Sequence, residues 1–299
     1  MNDLLFELPL PEDFNMNACL EYMNRSPLEC LFRTDEAGIT RMFRLEEEPV
    51  LIRLTVSEGH RLSVSLLHGT VPGTDSLEGL ARYIVEWLDL DRDLAPFYKL
   101  AEADSLLRPL VSLHYGLRIV GIPDLFEALC WAILGQQVNL AFAYTLKQRL
   151  TAEYGESLER EGQTYYQFPR PEVFAEVQAE ELCRLQLTRS KACTVLEVAA
   201  LIAGGELSRE DLLALPSPAA AEQRLLEIRG VGPWTSQYVR MRCLRDASSF
   251  PVGDVGLQNV VKFLTGLDRK PTPAELLELA RPWQGWEAYA TFYLWRALY

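Results

Sequence analysis

The chain contains 299 residues, of which 48% are hydrophobic and 24% charged, a composition typical of a globular protein with about two domains. No apolar run approaches the ~20 residues of a membrane-spanning helix, and the basic start of a signal peptide is missing, which predicts a cytoplasmic protein that does not bind membranes. Six scattered cysteines and three histidines indicate neither a disulfide framework nor a metal centre, and the net charge of −13 argues against a polyanionic partner.

The first 110 residues predict a domain of mixed α/β structure. A helix is expected over residues 11–24, followed by apolar alternation over residues 39–45, 50–56 and 62–66. Alternation with period two between turn residues is typical of an antiparallel sheet with one buried face. The Gly- and Pro-rich residues 69–73 end this pattern.

Beyond residue 76 the apolar residues recur at helical spacing. Helices are expected over residues 77–88, 91–103, 124–134, 140–154, 190–203, 208–215, 217–228, 233–244, 256–264, 272–279 and 286–298. Ser217 and Thr272 are typical N-caps, and Gly266 is a typical C-cap. The predicted fold class is therefore α+β, with an N-terminal antiparallel-sheet domain over residues 1–110 and a mainly helical region over residues 111–299.

Residues 225–238 read LLEIRGVGPWTSQY and predict two helices joined by a tight turn. Pro233 suits the first helical position, and glycines at 230 and 232 allow positive φ and a close approach of the backbone to a partner. Amides at such a turn favour an anion such as phosphate. The turn alone is equally compatible with an ordinary corner between helices. Residues 221–264 carry six basic and four acidic side chains, whereas residues 1–110 carry 10 basic and 20 acidic ones.

Two further segments accompany this turn: FEALCWAILGQQV at 126–138 and FPVGDVGL at 250–257. Together the three segments resemble the helix-hairpin-helix (HhH-GPD) DNA glycosylase superfamily, and most of all its bacterial 3-methyladenine DNA glycosylase II branch. That branch separates its pocket tryptophan from its catalytic aspartate by 20 residues, as Trp234 and Asp254 are separated here. The segment WEAYA at 286–290 is similar to its final aromatic helix. The resemblance implies two helical lobes on either side of an active-site cleft and is weak before residue 110.

Asp254 is the candidate catalytic residue. An aspartate directly before a helix is usually an N-cap, and the two roles are compatible because the helix start stabilises an ionised carboxylate. The resemblance implies that this carboxylate stabilises positive charge on the sugar as the base departs, or orients the attacking water. Relatives often carry a second acidic residue at the position of Gly253, so the local loop geometry is expected to differ.

The resemblance also implies a pocket that accepts a base flipped out of the duplex. Aromatic residues at helical spacing are more often core, but electron-rich rings would attract the cationic purines that alkylation produces. Gln137 is implied as the side chain that fills the gap left in the duplex, against the alternative of a solvated glutamine at a helix end. The implied pocket residues are Trp234, Tyr238, Trp286 and Gln136. The implied phosphate-binding hairpin residues are Gly230, Val231, Gly232 and Thr235.

Tryptophan at position 234 has a mechanistic consequence. Lyase-type members of the superfamily carry a lysine there, which attacks the sugar as an amine, whereas tryptophan cannot form a Schiff base. We therefore expect a monofunctional glycosylase that uses water. No cysteine follows Cys243, so neither an iron–sulfur cluster nor another cofactor is expected, although the resemblance leaves open a monovalent cation at the hairpin. The expected partner is double-stranded DNA with damaged bases, bound by a monomer.

Three functions remain open at this stage. The first is removal of alkylated purines, the second is removal of an oxidised or deaminated base, and the third is non-catalytic binding of DNA structure. Asp254 together with the aromatic set disfavours the third function. The acidic composition counts against all three and indicates that any DNA binding is either weak or confined to one face.

Overall fold

The computed structural model describes residues 3–298. A five-stranded antiparallel sheet forms the N-terminal layer, with the strand order β1-β5-β4-β3-β2. The strands are β1 (Asp3–Pro9), β2 (Phe32–Asp35), β3 (Gly38–Leu45), β4 (Glu48–Ser57) and β5 (Arg61–His68). The three predicted alternating segments form β3, β4 and β5, and the alternate residues Leu62, Val64 and Leu66 of β5 are buried as expected.

Several elements differ from the prediction. The helix expected from residue 11 begins later, as α1 (Met16–Met23), because the Asn15 side chain accepts a hydrogen bond from the amide of Ala18 and caps the helix there. Strands β1 and β2 were not predicted. Nor was the hairpin of β6 (Ser157–Arg160) and β7 (Gln163–Tyr166), whose short polar strands lack apolar alternation.

Every predicted helix after residue 76 is present, with ends shifted by a few residues, and the short helices over residues 107–113 and 179–184 were not predicted. The helices are α2 (Thr74–Trp87), α3 (Ala95–Ala103), α4 (Leu107–Leu113), α5 (Leu125–Gly135), α6 (Leu140–Tyr154), α7 (Ala179–Arg184), α8 (Arg189–Ala203), α9 (Arg209–Ala214), α10 (Pro218–Leu226), α11 (Pro233–Arg242), α12 (Val255–Thr265), α13 (Pro273–Leu279) and α14 (Glu287–Trp295). The predicted caps are confirmed: Ser217 and Thr272 accept from backbone amides, and Gly266 ends α12 with φ 69°. The α+β fold class is likewise confirmed.

Helices α5 and α14 lie at the centre of the helical region. Residues 125–134 of α5 are all buried, and α5 packs against α6, α8 and α11. Helix α14 packs against α4 and α12, and its Phe292 ring lies 4.4 Å from the ring of Tyr22 in α1. The first helix is thereby joined to the last one. Within residues 3–298, no helix has both the length and the apolarity of a membrane span.

Candidate active site

A cavity of about 870 Å³ opens between the loop from α5 to α6, the start of α11, the start of α12 and the end of α14. This volume lies within the usual range of ligand sites, roughly 300–1,000 Å³. The predicted site residues that line the cavity are Gln136, Gln137, Gly230, Gly232, Trp234, Thr235, Tyr238 and Asp254. Eight residues selected from separate parts of the sequence therefore meet at one place.

Asp254 is held rigidly at the wall of this cavity. It is the N-cap of α12, and its Oδ1 accepts hydrogen bonds from the amide of Leu257 at 2.7 Å and from Trp295 Nε1 at 3.0 Å. Its Oδ2 accepts from Trp234 Nε1 at 2.9 Å. Three N–H donors and the helix start stabilise the negative charge and fix the orientation of both oxygens. The carboxylate is half-buried, so it remains accessible from the cavity.

The prediction for Trp286 needs a correction. Its ring packs against Phe97 at 5.9 Å and Tyr289 at 5.8 Å, and it does not line the cavity. Trp295 lines the cavity instead and contacts Asp254. Nine residues correspond to two and a half helical turns, so the two tryptophans lie on opposite faces of α14. The sequence indicated an aromatic helix in this region, but it did not indicate which face of that helix contacts Asp254.

Tyr238 lies between the two tryptophans that hold Asp254. Its ring centroid is 5.5 Å from that of Trp234 and 6.2 Å from that of Trp295. Its hydroxyl oxygen accepts from Trp131 Nε1 at 2.7 Å and from Arg242 Nη1 at 2.6 Å. Burial raises the pKa of Tyr238 to about 12, against the opposing effect of Arg242. The phenol is therefore neutral at physiological pH.

The two glutamines after α5 have different environments. Gln136 Nε2 donates to the backbone oxygen of Gly230 and to Thr235 Oγ1, both at 2.9 Å, so this side chain joins the end of α5 to the turn before α11. Gln137 is exposed and has φ 54°, a left-handed conformation that costs roughly 1 kcal/mol outside glycine. Strained residues of this kind often occur at functional sites.

The turn before α11 depends on its first glycine. Gly230 has φ 86°, and a Cβ at this position would lie 2.1 Å from Thr194 Oγ1 on α8. Gly232 is different, since apart from its own chain neighbours no described atom lies within 4 Å of where its Cβ would be. The Val231 side chain is buried and Thr235 is also buried, so the surface of this turn is mainly backbone.

We expect Gly230→Ala to lower the free energy of unfolding by about 2 kcal/mol or more, because the new methyl group meets both positive φ and the Thr194 hydroxyl. Gly232→Ala is the matched control and should change it by about 1 kcal/mol or less. Urea denaturation of both variants measures the difference. Equal destabilisation of the two variants would contradict the assigned role of Gly230.

Besides Trp295, three further aromatic or charged residues of the cavity were missed in the sequence. Trp131 lies within the α5 motif, but its indole contact to Tyr238 depends on how α5 packs against α11. Tyr22 and Arg25 come from α1 and the residues just after it, in the part of the chain where the resemblance is weak. No local pattern marks them. Among the described residues, no three His, Cys, Asp or Glu side chains converge as metal ligands would.

The families and proteins that are similar to this chain belong to DNA repair. The profile of the HhH-GPD superfamily of base excision DNA repair proteins matches residues 130–285, and that of the 8-oxoguanine DNA glycosylase N-terminal domain matches residues 35–129. A DNA-3-methyladenine glycosylase of Bacillus subtilis is 45% identical over 300 residues, covering 100% of this chain and 98% of the relative. DNA-3-methyladenine glycosylase 2 of Escherichia coli is 31% identical over 185 residues, covering 60% of each chain.

Solved structures show the same fold. A 3-methyladenine DNA glycosylase from Archaeoglobus fulgidus superposes with a TM-score of 0.83 at 23% identity, covering 97% of both chains. A Clostridium acetobutylicum 8-oxoguanine glycosylase/lyase, solved with double-stranded DNA, superposes with a TM-score of 0.72 at 19% identity and covers 99% of this chain and 97% of that one. At these identities the similarity establishes the architecture alone.

Proposed function

This chain belongs to the HhH-GPD superfamily of base excision DNA repair proteins, and we propose that it is a monofunctional DNA glycosylase that removes alkylated purines from double-stranded DNA. The observation that carries the proposal is the carboxylate of Asp254, held by Trp234 and Trp295 at the wall of a cavity of about 870 Å³. The B. subtilis relative at 45% identity is named for the same reaction, which supports the proposal.

The proposed reaction places the flipped base among the rings of Trp234, Tyr238 and Trp295. Alkylation at N3 or N7 makes a purine cationic and a good leaving group, and stacking on electron-rich rings stabilises such a base by ~0.5–2 kcal/mol. As the glycosidic bond breaks, positive charge develops on the deoxyribose. The fixed anion of Asp254 stabilises that charge, and water then completes the hydrolysis.

The turn before α11 is the proposed binding site for the DNA backbone. The backbone of Gly232 is open to a partner, and the amides at the start of α11 are suited to a phosphate. Gln137, exposed at the tip of the loop from α5 to α6, is the proposed side chain that occupies the space of the flipped base. Phosphate contacts fix position without reading sequence, which suits an enzyme that must find damage in any context.

We expect no covalent complex when the protein is treated with borohydride during reaction with damaged DNA, because trapping requires a Schiff base from an amine. Among the described residues that line the cavity there is no lysine. Lys147 pairs with Glu29 at 3.1 Å, and Lys191 Nζ donates to the backbone oxygen of Leu134 at 2.7 Å. Denaturing gel electrophoresis of the products measures trapping, with a glycosylase/lyase as positive control. A trapped band from this protein would contradict the monofunctional assignment.

The direct test of the proposed function is incubation with methylated duplex DNA, followed by chromatography of released bases and alkaline cleavage at abasic sites. Release of methylpurines is the expected result. Release only from duplexes with an oxidised or deaminated base would show that the enzyme acts on that class of lesion and not on alkylated purines. Binding of all duplexes with no release would identify a non-catalytic DNA-binding protein.

A further inference from the structure

The loop that ends in Asp254 is held in place by a glutamine of α11 that lies outside the cavity. This loop consists of residues 243–254 and joins α11 to α12. We propose that Gln237, which does not line the cavity, is a positioning residue for Asp254, because its side-chain amide fixes the loop at residues 249–250. The inference rests on the proposed glycosylase function and adds a residue that its chemical step requires.

The side-chain oxygen of Gln237 accepts hydrogen bonds from the loop. The amide of Phe250 donates to Oε1 at 2.9 Å, and the Ser249 hydroxyl lies 2.8 Å from Oε1 and 2.5 Å from the backbone oxygen of the same glutamine. Ser249 is fully buried and Phe250 is also buried. Buried donors without an acceptor are costly, so the loop keeps this conformation only while Gln237 supplies the acceptor.

The side-chain nitrogen of Gln237 fixes the other end of the amide. Its Nε2 donates to both carboxylate oxygens of Glu222 on α10, at 2.9 and 3.0 Å. Glu222 also accepts from Arg240, which in turn donates to Asp246 in the loop. The charged groups of this network are therefore Glu222, Arg240 and Asp246. Because a carboxylate only accepts and an amide N–H only donates, the glutamine side chain has a single favourable orientation.

Backbone hydrogen bonds connect these fixed loop residues to Asp254. The amide of Val252 donates to the backbone oxygen of Phe250 at 2.9 Å, and the amide of Asp254 donates to that of Pro251 at 2.8 Å. Asp254 follows Phe250 by only four residues, so little chain is available to absorb a shift of the loop. A displaced Phe250 would displace the carboxylate, and an error of about 1 Å in the placement of a catalytic group can lower the rate about 100-fold.

The position of Gln237 requires a side chain with an acceptor on one side and a donor on the other. An ionised glutamate has the same length but only acceptors, and its second oxygen would lie against the carboxylate of Glu222. Two carboxylates in contact hold a proton more tightly than one, so the pKa of the pair is raised. With that proton present, the substituted side chain donates to Glu222 and accepts from the amide of Phe250, as glutamine does.

The test is the single-turnover rate of base release by Gln237→Glu from duplex DNA that contains 7-methylguanine, divided by the wild-type rate at the same pH. We expect a ratio within about threefold of one near pH 5 and a loss of about 10- to 100-fold near pH 8, because the shared proton is lost as the pH rises. The Kd for a duplex with an abasic site should change by less than about threefold at either pH, since the loss concerns the chemical step alone.

Two further variants separate positioning from general effects of charge. Gln223→Glu is the matched control, since Gln223 is exposed on α10 and the substitution adds the same charge outside the network. Its rate ratio should not depend on pH. The exchange variant Glu222→Gln/Gln237→Glu restores a donor and an acceptor across the same contact, so its rate should return to within about threefold of wild type at every pH.

A loss in Gln237→Glu that is independent of pH, or that the exchange does not recover, would overturn the inference, as would no loss at any pH. An equal weakening of DNA binding would also overturn it, because Gln237 would then support the turn before α11 and not the loop. If Gln237→Glu unfolds near pH 8, Gln237→Met replaces it, adds no charge and should be slow at every pH with an unchanged Kd. Failure of wild type to release any base would refute the proposed function itself, and is distinct from all these outcomes.

Discussion

Asp254→Asn is expected to lower the rate of base release by about 10³-fold or more while leaving the fold intact. Asparagine has nearly the same shape and is as good an N-cap as aspartate, so it can still accept from the amide of Leu257. Asparagine cannot supply the negative charge that offsets the positive charge developing on the sugar. Removal of a single group that stabilises charge in the transition state typically lowers the rate by a factor of about 10²–10³. Its amide nitrogen would also face one of the two indole donors from Trp234 and Trp295.

Single-turnover release of 7-methylguanine from duplex DNA measures this effect, and urea denaturation measures stability in parallel. Asp268→Asn, at an exposed position shortly after α12, removes the same charge outside the cavity and is the control. Its rate should equal that of wild type. A rate above a tenth of wild type in Asp254→Asn would show that Asp254 acts only as a helix cap.

The second large effect is expected at Trp295. Trp295→Phe keeps an aromatic ring in the cavity wall but removes the N–H that donates to Asp254 Oδ1 at 3.0 Å. A hydrogen bond to a charged group contributes ~1.5–3 kcal/mol, which corresponds to roughly a 10- to 150-fold loss of rate if it is needed to orient the carboxylate. Trp286→Phe should change the rate by less than about threefold, since Trp286 packs against Phe97 outside the cavity.

The two tryptophan variants are compared under single-turnover conditions, so that the rate of the chemical step is separated from DNA binding and product release. They belong to the same helical segment and change the same atoms, which makes each the control for the other. A larger loss of rate in Trp286→Phe than in Trp295→Phe would show that Trp286, and not Trp295, supports Asp254.

Much of the site could be predicted from the sequence because its elements are local. The turn glycines at 230 and 232, Pro233 and the N-cap at Asp254 are determined by backbone requirements within a few residues. Trp234 and Tyr238 share a helix face through their spacing alone. The alternation that predicted β3, β4 and β5 is likewise a property of neighbouring residues, so the fold class could be predicted correctly.

The remaining site residues depend on contacts between distant segments. Whether Trp286 or Trp295 reaches Asp254 is decided by the rotation of α14 against α12. Arg25 reaches the cavity because α1 packs on α14 and because Arg242 donates to the Tyr22 hydroxyl at 2.9 Å. Neither arrangement produces a periodic or compositional pattern in the sequence. Arg25 stacks on tyrosine rings and forms no ion pair with Glu29, whose two carboxylate oxygens accept hydrogen bonds from Lys147.

The contact between Tyr22 and Phe292 joins segments from opposite ends of the described chain. Contacts of such large sequence separation form late, because much of the intervening chain must be ordered before they repay the entropy of closing so long a loop. The residues of α14 are synthesised after the turn before α11 and after Asp254, so the part of the cavity wall that contains Trp295 is completed only once both are present.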